Sequence, residues 1–318
     1  GLGILFSGDY GRLKVAGCRF DGNVSSNAIS IVSFGNYGSG HTIEDSLFSN
    51  NRVVGDRGKN SSATASLIGN ANIGKVSIKD SSFVNNAVDR TEAETLGGVS
   101  VLPCALIDAK GTLPALRNCY FEGNFIRATP TNPSVSGSAA LMRLTSGNEY
   151  YDLACCNNTF YANEAAQGVF FVSAKTTKKI FVSNTIFRDV TGAYPFVFSD
   201  AATVTIEVAN SVITAQDDER INYTNCKDAV LEFGPIQKKQ GRLVRGIRPM
   251  GVLYELGGEE AINSAGGPVF VKVGGSWRLG CGMSSQGSAI NLVRVPDMFG
   301  IDDSRDICGA YRKIKFDP

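Results

Sequence analysis

Asp45-Ser46-Leu47-Phe48-Ser49-Asn50-Asn51 returns 35 residues later as Asp80-Ser81-Ser82-Phe83-Val84-Asn85-Asn86, then as Asn118-Cys119-Tyr120-Phe121-Glu122-Gly123-Asn124 and Asn157-Asn158-Thr159-Phe160-Tyr161-Ala162-Asn163. With Phe20 to Asn23 the motif Phe-x-x-Asn occurs five times, and a sixth copy, Phe187 to Val190, has lost its Asn. Three residues before each Phe stands a turn-forming residue: Gly17, Asp45, Asp80, Asn118, Asn157, Asn184, and then Asn210 ahead of Ile213. Five residues before it runs an apolar column, Val15, Ile43, Ile78, Leu116, Cys155, Val182 and Val208. Around that column the alternation, as in Lys75-Val76-Ser77-Ile78-Lys79, has the period of two expected of a strand with one buried face, and no helix accounts for it.

A second strand precedes each of these. Its copies align as Ile29-Ser30-Ile31, Ala65-Ser66-Leu67, Ala105-Leu106-Ile107, Ala140-Leu141-Met142, Val169-Phe170-Phe171 and Phe196-Val197-Phe198, with apolar first and third columns. Self-similarity at 20–50 residues built from short strands and turns predicts a solenoid. Each repeat is one coil, strands pair with their equivalents in the next coil at ~4.8 Å, and like side chains stack. Phe20, Phe48, Phe83, Phe121, Phe160 and Phe187 are the expected core ladder. Asn23, Asn51, Asn86, Asn124 and Asn163 are expected to line it as a structural column, because Asn tolerates left-handed backbone and stacked amides bond along an axis.

Composition agrees with a turn-rich β protein. Gly is 36 of 318 residues, about 11% against a usual ~7%. By length alone two domains are expected, and the repeats divide the chain into coils over 1–215 and a capping or closing segment over 216–318 that packs on them. Lys plus Arg number 31 against 30 Asp plus Glu, a balance that excludes an electrostatic footprint for nucleic acid. A single histidine, His41, cannot build a multi-histidine zinc site, and any Ser-His-Asp triad has to use it. The start, Gly1-Leu2-Gly3-Ile4-Leu5-Phe6, lacks the charged region of a signal peptide and reads as a cut from a longer chain. No run approaches the ~18 apolar residues of a transmembrane segment.

Recurrent Phe-x-x-Asn behind an Asn-Thr or Asn-Cys pair resembles the right-handed parallel β-helix repeats of the pectin-lyase-like superfamily, especially bacterial surface proteins and the polymorphic outer-membrane adhesins of chlamydiae. The likeness spans about residues 1–215. A second likeness lies in the tail: Gly267-Pro268-Val269-Phe270, Trp277-Arg278-Leu279, Gly287-Ser288-Ala289-Ile290-Asn291 and Asp306-Ile307-Cys308-Gly309-Ala310-Tyr311 follow one another as in the closing segment of many secreted β-helix proteins. Here a Pro of that pattern is missing, Cys308 is inserted and Arg312 stands for a final Glu. The resemblance implies an all-β right-handed parallel β-helix with an irregular β C-terminal segment, in an extracellular or cell-surface protein.

The coils do not swell evenly. From the first-strand column to the Phe column the spacing stays at 16–20 residues, whereas from Phe to the next strand it runs 9, 17, 22, 19, 9 and 9. Insertions over roughly 52–63, 87–103 and 125–138 therefore leave one corner of three consecutive coils, and insertions clustered on one side of a solenoid often mark a binding side, the alternative being neutral loop growth on a tolerant surface. Arg52, Arg57, Lys59, Asp89, Arg90, Glu92, Glu94 and Arg127 carry the charge of these segments. Their mixed signs favour a neutral glycan or a protein over a polyanion. The first strand's middle column, Ser30, Ser66, Leu106, Leu141, Phe170 and Val197, is expected to face outward, with the tail or a self-assembly partner covering it.

Eight cysteines without a CxxC pair exclude the common zinc-ribbon spacings. Cys155 falls in the inward column, Cys156 points outward, Cys18 and Cys119 lie too many coils apart to bridge, and Cys281 with Cys308 is the expected disulfide. Sequons stand at Asn23, Asn60, Asn157 and Asn222. The enzymatic alternative is a polysaccharide lyase or glycoside hydrolase, whose sites need several carboxylates on one strand face. That column offers Asp108, with Arg143 one coil on and Asp200 one position off, and an Asp108–Arg143 ion pair between coils is the better reading. No catalytic residue, metal site or cofactor is expected. The chain reads as a non-enzymatic surface, adhesin or fibre protein that binds extracellular glycan or protein through the loop corner.

Overall fold

The computed structural model describes residues 5–6, 11–25, 30–35, 40–54, 64–70, 75–90, 103–109, 112–127, 139–144, 151–165, 168–172, 177–183, 185–188, 196–198, 205–209, 211–215, 230–233, 236–237, 252–256, 270–273 and 276–279. Among these the chain is all-β, without a helix, and its strands fall into four parallel sheets that each take one strand per repeat. Sheet I orders Leu5–Phe6, Ser30–Phe34, Ala65–Asn70, Cys104–Ala109, Ala139–Leu144, Phe170–Val172 and Phe196–Phe198. Sheet II orders Lys14–Ala16, His41–Glu44, Lys75–Lys79, Thr112–Arg117, Tyr151–Cys156, Thr177–Ser183, Thr205–Ala209 and Val230–Phe233. Sheet III orders Arg19–Asp21, Leu47–Ser49, Ser82–Val84, Tyr120–Glu122, Thr159–Tyr161, Ile186–Arg188, Ser211–Ala215, Val252–Leu256 and Ile236–Gln237. Sheet IV holds Val24–Ser25, Arg52–Val53, Ala87–Asp89, Phe125–Arg127 and Glu164–Ala165. Repetition of four strands in fixed order, each paired with its equivalent one repeat away, is compatible with a β-helix or solenoid. Phe270–Val273 and Ser276–Leu279 form a separate antiparallel pair. Cys281 and Cys308 lie outside the described residues, as do Arg57, Lys59, Glu92 and Glu94.

Five short strands of sheet III, from Arg19–Asp21 to Thr159–Tyr161, are each bracketed by two left-handed residues. Gly17, Asp45, Asp80, Asn118 and Asn157 precede it with φ between 49° and 61°, and Gly22, Asn50, Asn85, Gly123 and Ala162 follow it with φ between 50° and 67°. A left-handed residue breaks the extended backbone and redirects the chain, which is why the strand is held to three residues. Gly123 meets both demands on a glycine, since a Cβ there would also strike Asn85 Oδ1. The Asn of Phe-x-x-Asn is therefore not the left-handed residue, contrary to the expectation from its chemistry. The residue just before it takes that conformation.

What the Asn does instead is bond. Asn86 donates from Nδ2 to Asn124 Oδ1 (2.9 Å) and to the Phe48 carbonyl (2.9 Å), while its own Oδ1 accepts from Asn51 Nδ2 (2.8 Å) and the Asn51 backbone N–H (3.2 Å). The same bonds recur between Asn23, Asn51, Asn86, Asn124 and Asn163, so one buried amide joins three successive coils. Beside it Phe20, Phe48, Phe83, Phe121, Phe160 and Phe187 stack with centroids 4.7–5.1 Å apart and ring planes within 12°. That separation is the spacing of neighbouring strands, so the backbone register sets the ring geometry. One residue past the first left-handed position, Ser46, Ser81, Cys18 and Cys119 each donate a side-chain hydrogen bond to the carbonyl two residues back, which gives Cys18 and Cys119 the place of a serine. Cys18, Cys104, Cys119, Cys155 and Cys156 are thiols outside any disulfide, and burial raises the pKa of Cys104 to about 12.

Sheet I departs from the expected alignment. Ser66 pairs with Ala105, Met142 with Phe170, and Phe170 with Phe196, one residue off the sequence reading at each of those steps. Leu67 and Ile68, Leu106 and Ile107, and Leu141 and Met142 all belong to the core cluster, so two adjacent residues in each strand point inward. Strict alternation is interrupted there. Leu106, Leu141 and Phe170 therefore line the core and do not form an outward apolar column, and Phe170 meets Phe160 edge to face at 5.8 Å.

Candidate functional site

Sheet IV sits where the three insertions leave. Its strands are two or three residues long and alternate cleanly. Val53, Val88, Ile126 and Ala165 enter the core, which fixes the preceding residue of each strand on the outer side. Pairing sets Val24, Arg52, Ala87, Phe125 and Glu164 in one outer column, with Asp89 opposite Arg127 in the next. Val24 is 69% exposed, Arg52, Arg127 and Glu164 are exposed, and Ala87, Asp89 and Phe125 are half-buried.

Arg127 reaches back over the column. Its guanidinium carbon lies 4.4 Å from the Phe125 ring centroid and its Nη2 is 3.7 Å from Glu164 Oε1. The ring and the carboxylate hold the guanidinium in place, while half of each charged side chain stays in water. Such an arrangement presents planar donors beside carboxylate acceptors on a rigid ladder, the chemistry that binds sugar hydroxyls or peptide amides.

Of the eight residues assigned to this corner, the structure brings Arg52, Asp89, Arg90 and Arg127 to sheet IV or its end. Arg90 does not share the exposure of Arg52 and Arg127. It is fully buried, its N–H donating to the Arg127 carbonyl at 3.0 Å, and its charge lies near the Cys104 thiol. Phe125 and Glu164 belong to the surface but were not among the eight. Both stand one residue after the repeat Asn, as Arg52 does, so carrying the alignment one position further reveals them.

The carboxylates described elsewhere are held by neighbouring coils. Glu44 binds Lys14 and, at 2.8 Å, Lys79, and their hydrogen bonds lower its pKa. Asp21 accepts from Ser49, Asn50 and Arg19, which brings its pKa down to about 2. Asp108 faces Arg143 at 3.6 Å across one coil step, and Arg143 also donates to Thr64 Oγ1. His41 is buried, accepts the Leu13 N–H at Nδ1 (3.0 Å) and tilts against Phe34. Among the described residues no three His, Cys, Asp or Glu side chains gather as a metal site, and no helix is long and apolar enough to cross a membrane.

Comparison with known proteins finds no matching family model, no matching curated protein and no matching solved structure.

Proposed function

We propose that the chain is a non-enzymatic surface, adhesin or fibre protein, built as a right-handed β-helix of the pectin-lyase-like kind, that binds an extracellular glycan or protein at the insertion corner. One observation carries the reading: the outer face of sheet IV displays Arg52, Arg127 and Glu164 in water on a ladder fixed by core packing, at the point where three consecutive coils lengthen. Mixed charge at this face suits a neutral glycan or a polypeptide. Commitment of Asp21, Glu44 and Asp108 to bonds between coils supports a structural use of these acids.

The test is to shorten the three insertions to the spacing of the compact coils and, separately, to replace Arg52 and Arg127 by Ala. Folding is expected to survive in both, with binding on a panel of neutral glycans and surface proteins lost in the first and weakened in the second. Full binding by the trimmed protein refutes the assignment. Depolymerisation of an acidic polysaccharide by the intact protein refutes the non-enzymatic reading.

A further inference from the structure

His41 is the chain's single histidine and is fully buried. Its strand alternates, so His41 and Ile43 lie on the inner side and Thr42 and Glu44 on the outer. The residue opposite it one coil on is Val76, in the core, and the Phe34 ring tilts against the imidazole at 4.9 Å. A titratable ring thus occupies an apolar column.

The reason lies in the sheet II ladder. Lys14 pairs with Thr42, the Gly17 N–H donates to the Glu44 carbonyl (3.2 Å) and the Thr42 N–H to the Leu13 carbonyl (3.1 Å). Carried one step back, this alternation would hand the Leu13 N–H the carbonyl of Gly40. Gly40 holds φ at +76°, however, and its carbonyl accepts from Arg12 Nε at 2.9 Å instead. His41 Nδ1 takes over and accepts the Leu13 N–H at 3.0 Å. One rung of the backbone ladder is therefore made by a side chain.

An acceptor at Nδ1 leaves the neutral ring's proton on Nε2, and among the described residues that buried N–H has no partner. Protonation would set a second N–H at Nδ1, donor facing donor, and would place a charge in the core. No carboxylate among the described residues faces the ring to offset it. Of the charged groups around it, Arg12 acts on the ring with the same sign, while Lys14, Lys75 and Lys79 are exposed on the outer side of sheet II and Glu44 is held there by Lys14 and Lys79. Burial first, and then the Arg12 charge, lowers the His41 pKa. Glu44 and Asp21, whose bonds join the same two coils, have lowered pKa values too and stay charged from pH 7 to pH 5. Among the described residues, His41 is the link between these coils that changes charge within that window.

We propose that His41 is an acid-sensitive clasp between residues 12–14 and 40–42: a proton taken up at Nδ1 breaks the bond from the Leu13 N–H and opens this rung of sheet II, while the Phe and Asn ladders stay closed. Mild acid thereby loosens one coil step at a fixed point. The bond is complete above the open-state pKa near 6.5 and is lost as pH falls toward the lowered value of the closed state. The clasp is independent of the insertion corner, which lies on sheet IV.

Hydrogen exchange of the full chain tests it, read by mass spectrometry on peptides spanning residues 11–16 and 40–44, with a peptide spanning 83–88 as the reference. Corrected for intrinsic rates, protection of the first two is expected to fall about tenfold from pH 7 to pH 5. Their exchange is expected to be insensitive to dilute urea, the mark of a local opening, whereas the reference exchanges through a urea-sensitive one. His41→Asn, which offers Oδ1 as an acceptor that does not titrate, is expected to abolish the fall. Unchanged protection at pH 5, a fall that persists in His41→Asn, or equal urea sensitivity in all three peptides overturns the proposal. Should His41→Asn not fold, isotopic labelling of the histidine nitrogens decides. A neutral ring protonated at Nε2 and titrating below the unfolded chain supports the clasp, and a ring protonated at Nδ1, or titrating at or above the unfolded value, overturns it.

Discussion

Replacing Asn86 by Ala tests the amide ladder where it is continuous on both sides. The substitution removes four hydrogen bonds: two accepted at Oδ1, from Asn51 Nδ2 (2.8 Å) and Asn51 N–H (3.2 Å), and two donated by Nδ2, to Asn124 Oδ1 (2.9 Å) and the Phe48 carbonyl (2.9 Å). The consequences are unequal. Asn124 Oδ1 keeps the Asn86 backbone N–H at 3.1 Å and Asn51 Nδ2 keeps the Phe20 carbonyl at 2.9 Å, but the buried Asn51 N–H loses its acceptor. Leaving a buried donor unmet costs about 1–3 kcal/mol and each ordinary net bond about 0.5–1.5 kcal/mol, so the total is about 4 kcal/mol. Asn23→Ala removes the same atoms at a half-buried position of the ladder, where among the described residues they make one bond, to Asn51 Oδ1 at 2.8 Å. Its cost is about 1 kcal/mol. Urea unfolding of both variants, compared by midpoint at a common m-value, measures the difference. If the two substitutions fall within about 1 kcal/mol of each other, the order-of-magnitude argument from bond number fails.

Phe83→Ala removes a ring stacked at 5.0 and 4.8 Å on its two neighbours, and calorimetry is expected to show a loss of about 3–5 kcal/mol. Ala162 holds φ at +50°, so Ala162→Gly should raise stability by about 1 kcal/mol in urea unfolding, whereas Gly22→Ala should lower it by a similar amount. Burial lowers the pKa of His41, with the Arg12 charge adding to the effect. The folded state therefore binds fewer protons than the unfolded one, and its stability is full above the unfolded pKa near 6.5 and declines as pH falls below it. Thermal midpoints taken from pH 7 to pH 5 should show this decline, and His41→Gln should flatten it over the same window.

The repeat itself was legible because period, spacing and residue type agree: a Phe that must be buried, an Asn three residues on, and a turn-forming residue three before force short strands that stack like on like. Parallel pairing and the stacking of Phe48 on Phe83 follow from that agreement, since identical side chains at one strand spacing have nowhere else to go. The first left-handed residue of each pair was legible as the turn-forming residue three before Phe, but the second was not, because Asn serves equally well as a turn former and as a buried amide, and only bond partners separate the roles of Asn85 and Asn86. Nor was the register of sheet I. Its strands are apolar at adjacent positions such as Leu106-Ile107, and a period-two reading places one of the pair outside when both enter the core. The corner surface divides in the same way. Spacing located the insertions, but the burial of Arg90 and the convergence of Phe125, Arg127 and Glu164 depend on pairing between strands far apart in sequence, which only the tertiary structure decides.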